Sequence, residues 1–150
     1  METYENILEE KPIIVPTKEH STLTIFVGKW AIEGENLAVK GIETYEWLPG
    51  GFFMVYKWSH YFGGESHKGI GMISHDESNH TFEINNYDNM GYVRTYKIVN
   101  EEGMWKFTGE KERATLQFSA NGNGFTENWE IFTEEENWQP LCKLQAKRIN

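Results

Sequence analysis

The chain has 150 residues, a length that suits one domain with its own buried core. Its formal net charge is -9, so a nucleic-acid backbone or an anionic membrane surface would be repelled. A single cysteine excludes an intramolecular disulfide, and the acidic N-terminus is unlike a signal peptide, so we expect a soluble, cytoplasmic protein.

The chain is predicted to begin with an arm. Residues 1–16 carry Pro12 and Pro16, and the apolar stretch 13–15 between them could cover the edge of a sheet. We therefore place an N-terminal arm at 1–16 and a folded domain at 17–150.

A short helix is predicted over residues 17–27. Thr17 is a suitable N-cap, and Gly28 is expected to end the helix. One face at helical spacing holds His20, Leu23, Phe26 and Val27.

From Trp30 onward the apolar residues recur with a period of two, which is typical of β-strands. Residues 42–48 place Tyr45 and Trp47 on one face, and Leu48-Pro49-Gly50-Gly51 is predicted to be a turn. Residues 52–60 place one set of side chains on one face: Phe52, Met54, Tyr56, Trp58 and His60. Further strands are predicted near 67–75, 80–87, 91–99, 104–108, 112–119, 124–132 and 137–148.

About nine short strands joined by tight turns predict a sheet in up-and-down order. Such a sheet must close on itself or leave long exposed edges, and closure removes the edges. The predicted fold is therefore all-β, a closed antiparallel up-and-down β-barrel of about 8–10 strands with a short N-terminal capping helix. A barrel of this size has room for side chains or for one small ligand.

Several motifs resemble those of a family of uncharacterised bacterial proteins with a lipocalin-like, or calycin, fold. They are His20-x-x-Leu23, Gly28-x-Trp30, Tyr45-Glu46-Trp47-Leu48-Pro49-Gly50-Gly51-Phe52-Phe53, Tyr87-Asp88-Asn89-x-Gly91, Trp129-Glu130 and Trp138-x-Pro140. The resemblance covers roughly residues 18–148 and implies the barrel but no assigned reaction. In related calycins a basic residue of the last strand packs over the Gly-x-Trp tryptophan. Here Lys147 or Arg148 could do so, which would make Trp30 a plug of the closed end.

Binding of a small, mainly apolar molecule inside the barrel is the predicted function. Aromatic residues are 15% of the chain, and large aromatic side chains commonly line ligand cavities. The residues predicted to line this cavity are Tyr45, Trp47, Met54, Tyr56, Trp58, His60, Arg94, Tyr96 and Trp129.

Arg94 and Tyr96 share one strand face. Whether the ligand carries a carboxylate depends on which way this face points. Together they could hold a carboxylate, because a buried guanidinium needs a partner. Alternatively, Arg94 faces water or pairs with Glu127. A small hydrophobic ligand, with or without a carboxylate, is thus the expected partner, and a homodimer is one assembly that the sequence allows.

Two other functions stay open at this point. An enzyme could use the same cavity, with His60, Glu127 and Arg94 as acid–base and electrophilic groups. A filled barrel acting only through its surface is the other alternative. No catalytic residue is assigned, because no nucleophile motif occurs and Cys142 is expected to be a small core residue.

Cofactors and metals are not expected. His60, Glu65 and His67 flank one hairpin and could form a two-histidine, one-carboxylate site, but no His-x-His or His-x-x-x-His spacing supports it. Some calycins bind haem through a histidine near the C-terminus, whereas the last histidine of this chain is His80.

Overall fold

Alternating strands from Gly28 to Arg148 close into one antiparallel barrel, as the sequence predicted. The computed structural model describes residues 14–150, and ten strands pair in up-and-down order, with the last strand beside the first. The strands are β1 Gly28–Gly34, β2 Val39–Trp47, β3 Met54–Phe62, β4 Glu65–Asp76, β5 Thr81–Asp88, β6 Val93–Glu101, β7 Met104–Thr108, β8 Glu112–Phe118, β9 Gly124–Phe132 and β10 Trp138–Arg148. Trp30 pairs with Arg148 where the barrel closes.

The N-terminal helix is shorter than predicted. An α-helix, α1, spans Lys18–Ser21 and continues as a 3₁₀ helix over Thr22–Phe26. Hydroxyl groups compete with the helical hydrogen bonds here, since Ser21 Oγ donates to Lys18 O and Thr22 Oγ1 donates to Glu19 O, both at 2.7 Å. The predicted inward face is nevertheless the one that contacts the barrel: His20, Leu23 and Phe26 are buried.

The turn between β2 and β3 is longer than predicted, so β3 begins at Met54 instead of residue 52. Gly50 and Gly51 have φ values of 108° and 76°, which L-residues with side chains rarely adopt. The turn closes with Leu48 N–H donating to Phe53 O at 2.8 Å. Phe52 therefore leaves the strand and packs edge-on against His20, with ring centroids 5.6 Å apart.

The end of the barrel beneath the helix is filled by aromatic side chains around Trp30. Trp30 is fully buried, and its Nε1–H donates to Phe26 O at 2.8 Å. The Arg148 guanidinium lies 4.2 Å from the Trp30 ring centroid and donates to the carbonyl oxygens of Ile25 and Val27. The expected basic residue is thus Arg148 rather than Lys147, and it ties the last strand to the helical segment.

Most of the predicted arm, including Ile13, lies outside the described residues. Ile14 and Val15 are exposed, and the closed sheet leaves no strand edge for them to cover within residues 14–150. No helix within residues 14–150 is long and apolar enough to cross a membrane.

Candidate functional site

A cavity of about 480 Å³ occupies the half of the barrel opposite the helix. Its mouth lies at the turns that follow β3 and β5, because Phe62, Glu65 and Met90 from those strand ends contribute to its lining. The opposite half is filled by the aromatic side chains around Trp30, so among residues 14–150 the barrel is open at one end only.

Six of the nine residues predicted to line a cavity do so. They are Tyr56, Trp58, His60, Arg94, Tyr96 and Trp129. The other three, Tyr45, Trp47 and Met54, belong to the packed core or pack against it and do not line the cavity. These three face the interior as the alternation predicts, but they lie at the helix-side ends of β2 and β3.

Tyr56 and Trp58 form one wall of the cavity and continue an aromatic stack that begins at Tyr45 in the core. Tyr45 stacks on Tyr56 with ring centroids 4.6 Å apart, and Tyr56 stacks on Trp58 at 5.3 Å. The Trp58 ring lies directly over Gly69 of β4, where a Cβ atom would collide with the indole. Gly71 likewise leaves space for the side chain of Asn86. Glycine at alternate positions of a strand is the sequence feature that could have located this wall.

Glu43 was not predicted as a site residue, yet it is one of the deeply buried acids of the cavity. Its side chain is 2% exposed, and its Oε2 lies 2.7 Å from His60 Nε2. The other oxygen, Oε1, has no hydrogen-bond partner of ordinary geometry within residues 14–150, although the Tyr56 hydroxyl lies near enough to interact with this carboxyl group. Glu43 shares the inward face of β2 with Tyr45, so extending the period-two pattern by one step could have identified it.

Glu127 lies in the same cavity and is also buried. Burial raises the pKa of its carboxyl well above the usual range, and the nearby Glu43 raises this pKa further. A hydrogen bond with Trp129 partly offsets these two effects. The protonated form of Glu127 is therefore favoured to a higher pH than that of a glutamate in water.

Asp88, at the end of β5, holds the mouth of the cavity together. Its Oδ2 accepts hydrogen bonds from His67 Nε2 at 3.1 Å and from Arg94 at 2.8 Å. Its Oδ1 accepts from the backbone N–H groups of Met90 and Tyr92 at 2.9 and 3.0 Å. Burial alone would raise the pKa of Asp88, but these hydrogen bonds together hold it well below its usual range.

The two donors predicted to bind a ligand carboxylate are both engaged by carboxyl groups of the protein. Arg94 pairs with Asp88, not with Glu127, and its guanidinium lies 4.7 Å from the Tyr92 ring centroid. The Tyr96 hydroxyl donates to Glu112 Oε2 at 2.6 Å. Burial and then this hydrogen bond raise the pKa of Tyr96 above its usual value.

His60 and His67 are directly opposite each other on β3 and β4, but they bind different partners. His67 Nδ1 accepts from Trp58 Nε1 at 3.3 Å, so its Nε2 carries the proton donated to Asp88. Among residues 14–150, no group of three or more His, Cys, Asp or Glu side chains has the geometry to hold a metal ion.

Cys142 is half-buried, and it both packs against the core and lines the cavity. A register shift between Pro140 and Cys142 interrupts the pairing of β10 with β9. Burial, followed by Glu127 and Glu112, raises the pKa of the Cys142 thiol. The chain thus presents its one thiol to the cavity in the protonated form.

Comparisons with known proteins bear on the family and the fold. A family model described as "Protein of unknown function (DUF1579)" matches residues 15–144. The chain belongs to this family. The crystal structure of Rv2717c from M. tuberculosis is similar to this DUF1579 chain, with a TM-score of 0.63 and 10% identity over 89% of this chain and 99% of that one. At that identity the likeness shows the barrel fold alone. No curated protein matches the sequence.

Proposed function

We propose that this DUF1579 protein binds a small, mainly apolar molecule in the open half of its barrel. The cavity itself is the observation that carries the proposal. Its volume of about 480 Å³ lies in the range of ligand pockets, which is roughly 300–1,000 Å³. Tyr56, Trp58, Tyr96 and Trp129 supply aromatic contact surface, and buried polar groups are available to orient the molecule, as ligand sites require.

A filled barrel that acts only through its surface is less consistent with these features. Core side chains fill the half beneath the helix, whereas the other half keeps a cavity of about 480 Å³. A core selected only for stability would fill such a space with larger apolar side chains, because voids lower the free energy of unfolding.

Binding of a neutral aromatic probe tests the proposal. Naphthalenemethanol should bind the purified protein, as measured by isothermal titration calorimetry. Trp58→Ala should weaken this binding by about tenfold, since burial of a large apolar side chain contributes about 1.5–3 kcal/mol and 1.4 kcal/mol is tenfold.

Trp138→Ala is the matched control, because Trp138 packs against Phe132 and Arg113 and does not line the cavity. This variant should bind the probe as the parent does. Equal losses in both variants, or no binding to the parent, would contradict the proposal.

Catalysis in the same cavity is a second candidate, favoured by the buried Glu43–His60 pair. A histidine held by a carboxylate at 2.7 Å is an arrangement suited to general acid–base work. The two functions can be separated by incubating a bound small molecule with the protein and then measuring its mass by mass spectrometry. Chemical conversion that is lost in His60→Gln, with binding retained, would indicate an enzyme.

A further inference from the structure

Among the charged side-chain types that line the cavity, acids outnumber bases. Five carboxyl side chains line it: Glu43, Glu65, Asp88, Glu112 and Glu127. Against them stand one guanidinium and two imidazoles, from Arg94, His60 and His67. The only permanent cation among these is already matched by Asp88 at 2.8 Å.

Two buried acceptor atoms of the cavity wall have no hydrogen-bond partner of ordinary geometry within residues 14–150. Glu43 Oε1 and Asn86 Oδ1 are both shielded from solvent, and each belongs to a residue of the cavity wall. An unsatisfied buried acceptor is costly, and more so on a charged group, so such atoms call for a donor. Both residues lie on the inward faces of their strands, β2 and β5.

We propose that the ligand of this cavity is an arylalkylamine, an amine joined to an aromatic ring through a short alkyl chain, whose protonated nitrogen donates to Glu43 Oε1 while its ring packs against Tyr56 and Trp58. This inference rests on the function proposed above and names the chemical class of the ligand.

The aromatic wall and the overall charge both favour a cation. Aromatic ring faces attract an ammonium group, and the contribution grows when the site is shielded from water. A protein with a net charge of -9 also raises the local concentration of cations near its surface. A carboxylate ligand would instead meet the excess of protein carboxyl groups in the cavity.

Calorimetry with three matched probes at neutral pH tests the inference. Naphthylmethylamine should bind at least about tenfold more tightly than naphthalenemethanol, because a hydrogen bond to a charged group contributes enough free energy for that ratio. Naphthoic acid should bind more weakly than the alcohol.

Glu43→Gln should bring the affinity for the amine down to that for the alcohol and leave the alcohol's affinity unchanged. Glu46→Gln is the matched control, since this substitution removes the same charge from the exposed face of the same strand. It should keep the preference for the amine. The ranking of the three probes on the parent protein is a second readout, and it does not depend on the folding of Glu43→Gln.

The outcomes separate this inference from the proposed function. Alcohol binding with no preference for the amine would overturn the inference and leave the proposed function standing, as would tighter binding of the acid. A preference for the amine that survives Glu43→Gln would also overturn it. Failure of all three probes to bind would count against the proposed function itself.

Discussion

At the residue scale, Asp88 links the β5–β6 turn to the ionic groups of the cavity mouth. One carboxylate accepts two backbone N–H groups of the turn and two side-chain donors from neighbouring strands. The Tyr87-Asp88-Asn89-x-Gly91 motif is therefore a turn motif whose acid also positions His67 and Arg94. Because the native pKa of Asp88 is depressed, its ionised form stabilises the fold.

Asp88→Asn should lower the free energy of unfolding at neutral pH by about 1.5–3 kcal/mol, the range for hydrogen bonds to a charged group. This contribution is present above the unfolded pKa of about 3.9 and is lost as the pH falls through the depressed native value. The parent should thus lose stability more steeply than the variant below pH about 4. Urea unfolding at a series of pH values measures this.

Glu83→Gln is the control for that series, because Glu83 is exposed on the same strand. It should follow the parent at every pH. If the free energy of unfolding of Asp88→Asn falls with pH as steeply as that of the parent, Asp88 does not cause the loss of stability in acid.

At the element scale, the closed end of the barrel depends on three segments that meet at Trp30. The 3₁₀ helix supplies the carbonyl of Phe26, β1 supplies the indole, and β10 supplies the guanidinium of Arg148. Around them pack further aromatic rings, including Phe125 at 4.8 Å from Trp30. The helix is short, so its position is determined by this packing and not by its own helical propensity.

Trp30→Ala should lower the free energy of unfolding by about 3–5 kcal/mol, as truncation of a buried aromatic side chain does. Trp138→Ala is the matched change at a partly exposed position and should cost clearly less. Thermal unfolding followed by circular dichroism measures both. Similar melting temperatures for the two variants would mean that Trp30 is not the plug.

At the scale of the whole molecule, the barrel buries acidic groups where an apolar filling would be more stable. Two buried carboxyl groups, Glu43 and Glu127, lie in one cavity, and a buried charge is costly unless it is paired. Such a cost is consistent with a site in which stability is given up for binding.

Glu127→Gln should therefore stabilise the protein at neutral pH. The raised native pKa means that the folded chain holds the Glu127 proton more tightly than the unfolded chain does. Stability then falls as the pH rises from the unfolded value of about 4.3 through the native one. The variant should melt at least about 2 °C above the parent at neutral pH, with the difference vanishing near pH 4.

Differential scanning calorimetry across this pH range gives the comparison, with Glu46→Gln as the surface control. If Glu127→Gln melts below the parent at neutral pH, the carboxylate of Glu127 is a favourable part of the native cavity. That result would contradict the pKa direction given above.

Much of the architecture was readable from the sequence because most strands keep a period of two, although a register shift interrupts β10. The alternation in 42–48 and 52–60 identified inward-facing side chains, except for Phe52, and the glycine-rich and asparagine-rich turns marked where strands end. Gly28-x-Trp30 likewise predicted the plug. These are local properties, since a side chain's face and a turn's backbone angles depend on nearby residues.

Which inward-facing side chains line the cavity was decided only by the tertiary structure. Period-two reasoning assigns a face but not a height along the barrel, so Tyr45 and Met54 were grouped with Trp58 although they lie in the packed half. The partners of Arg94 and Tyr96 were also not predictable from the sequence. Strand register and barrel closure bring together Asp88, Glu112 and Glu43 from different strands, and these long-range contacts leave no local pattern in the chain.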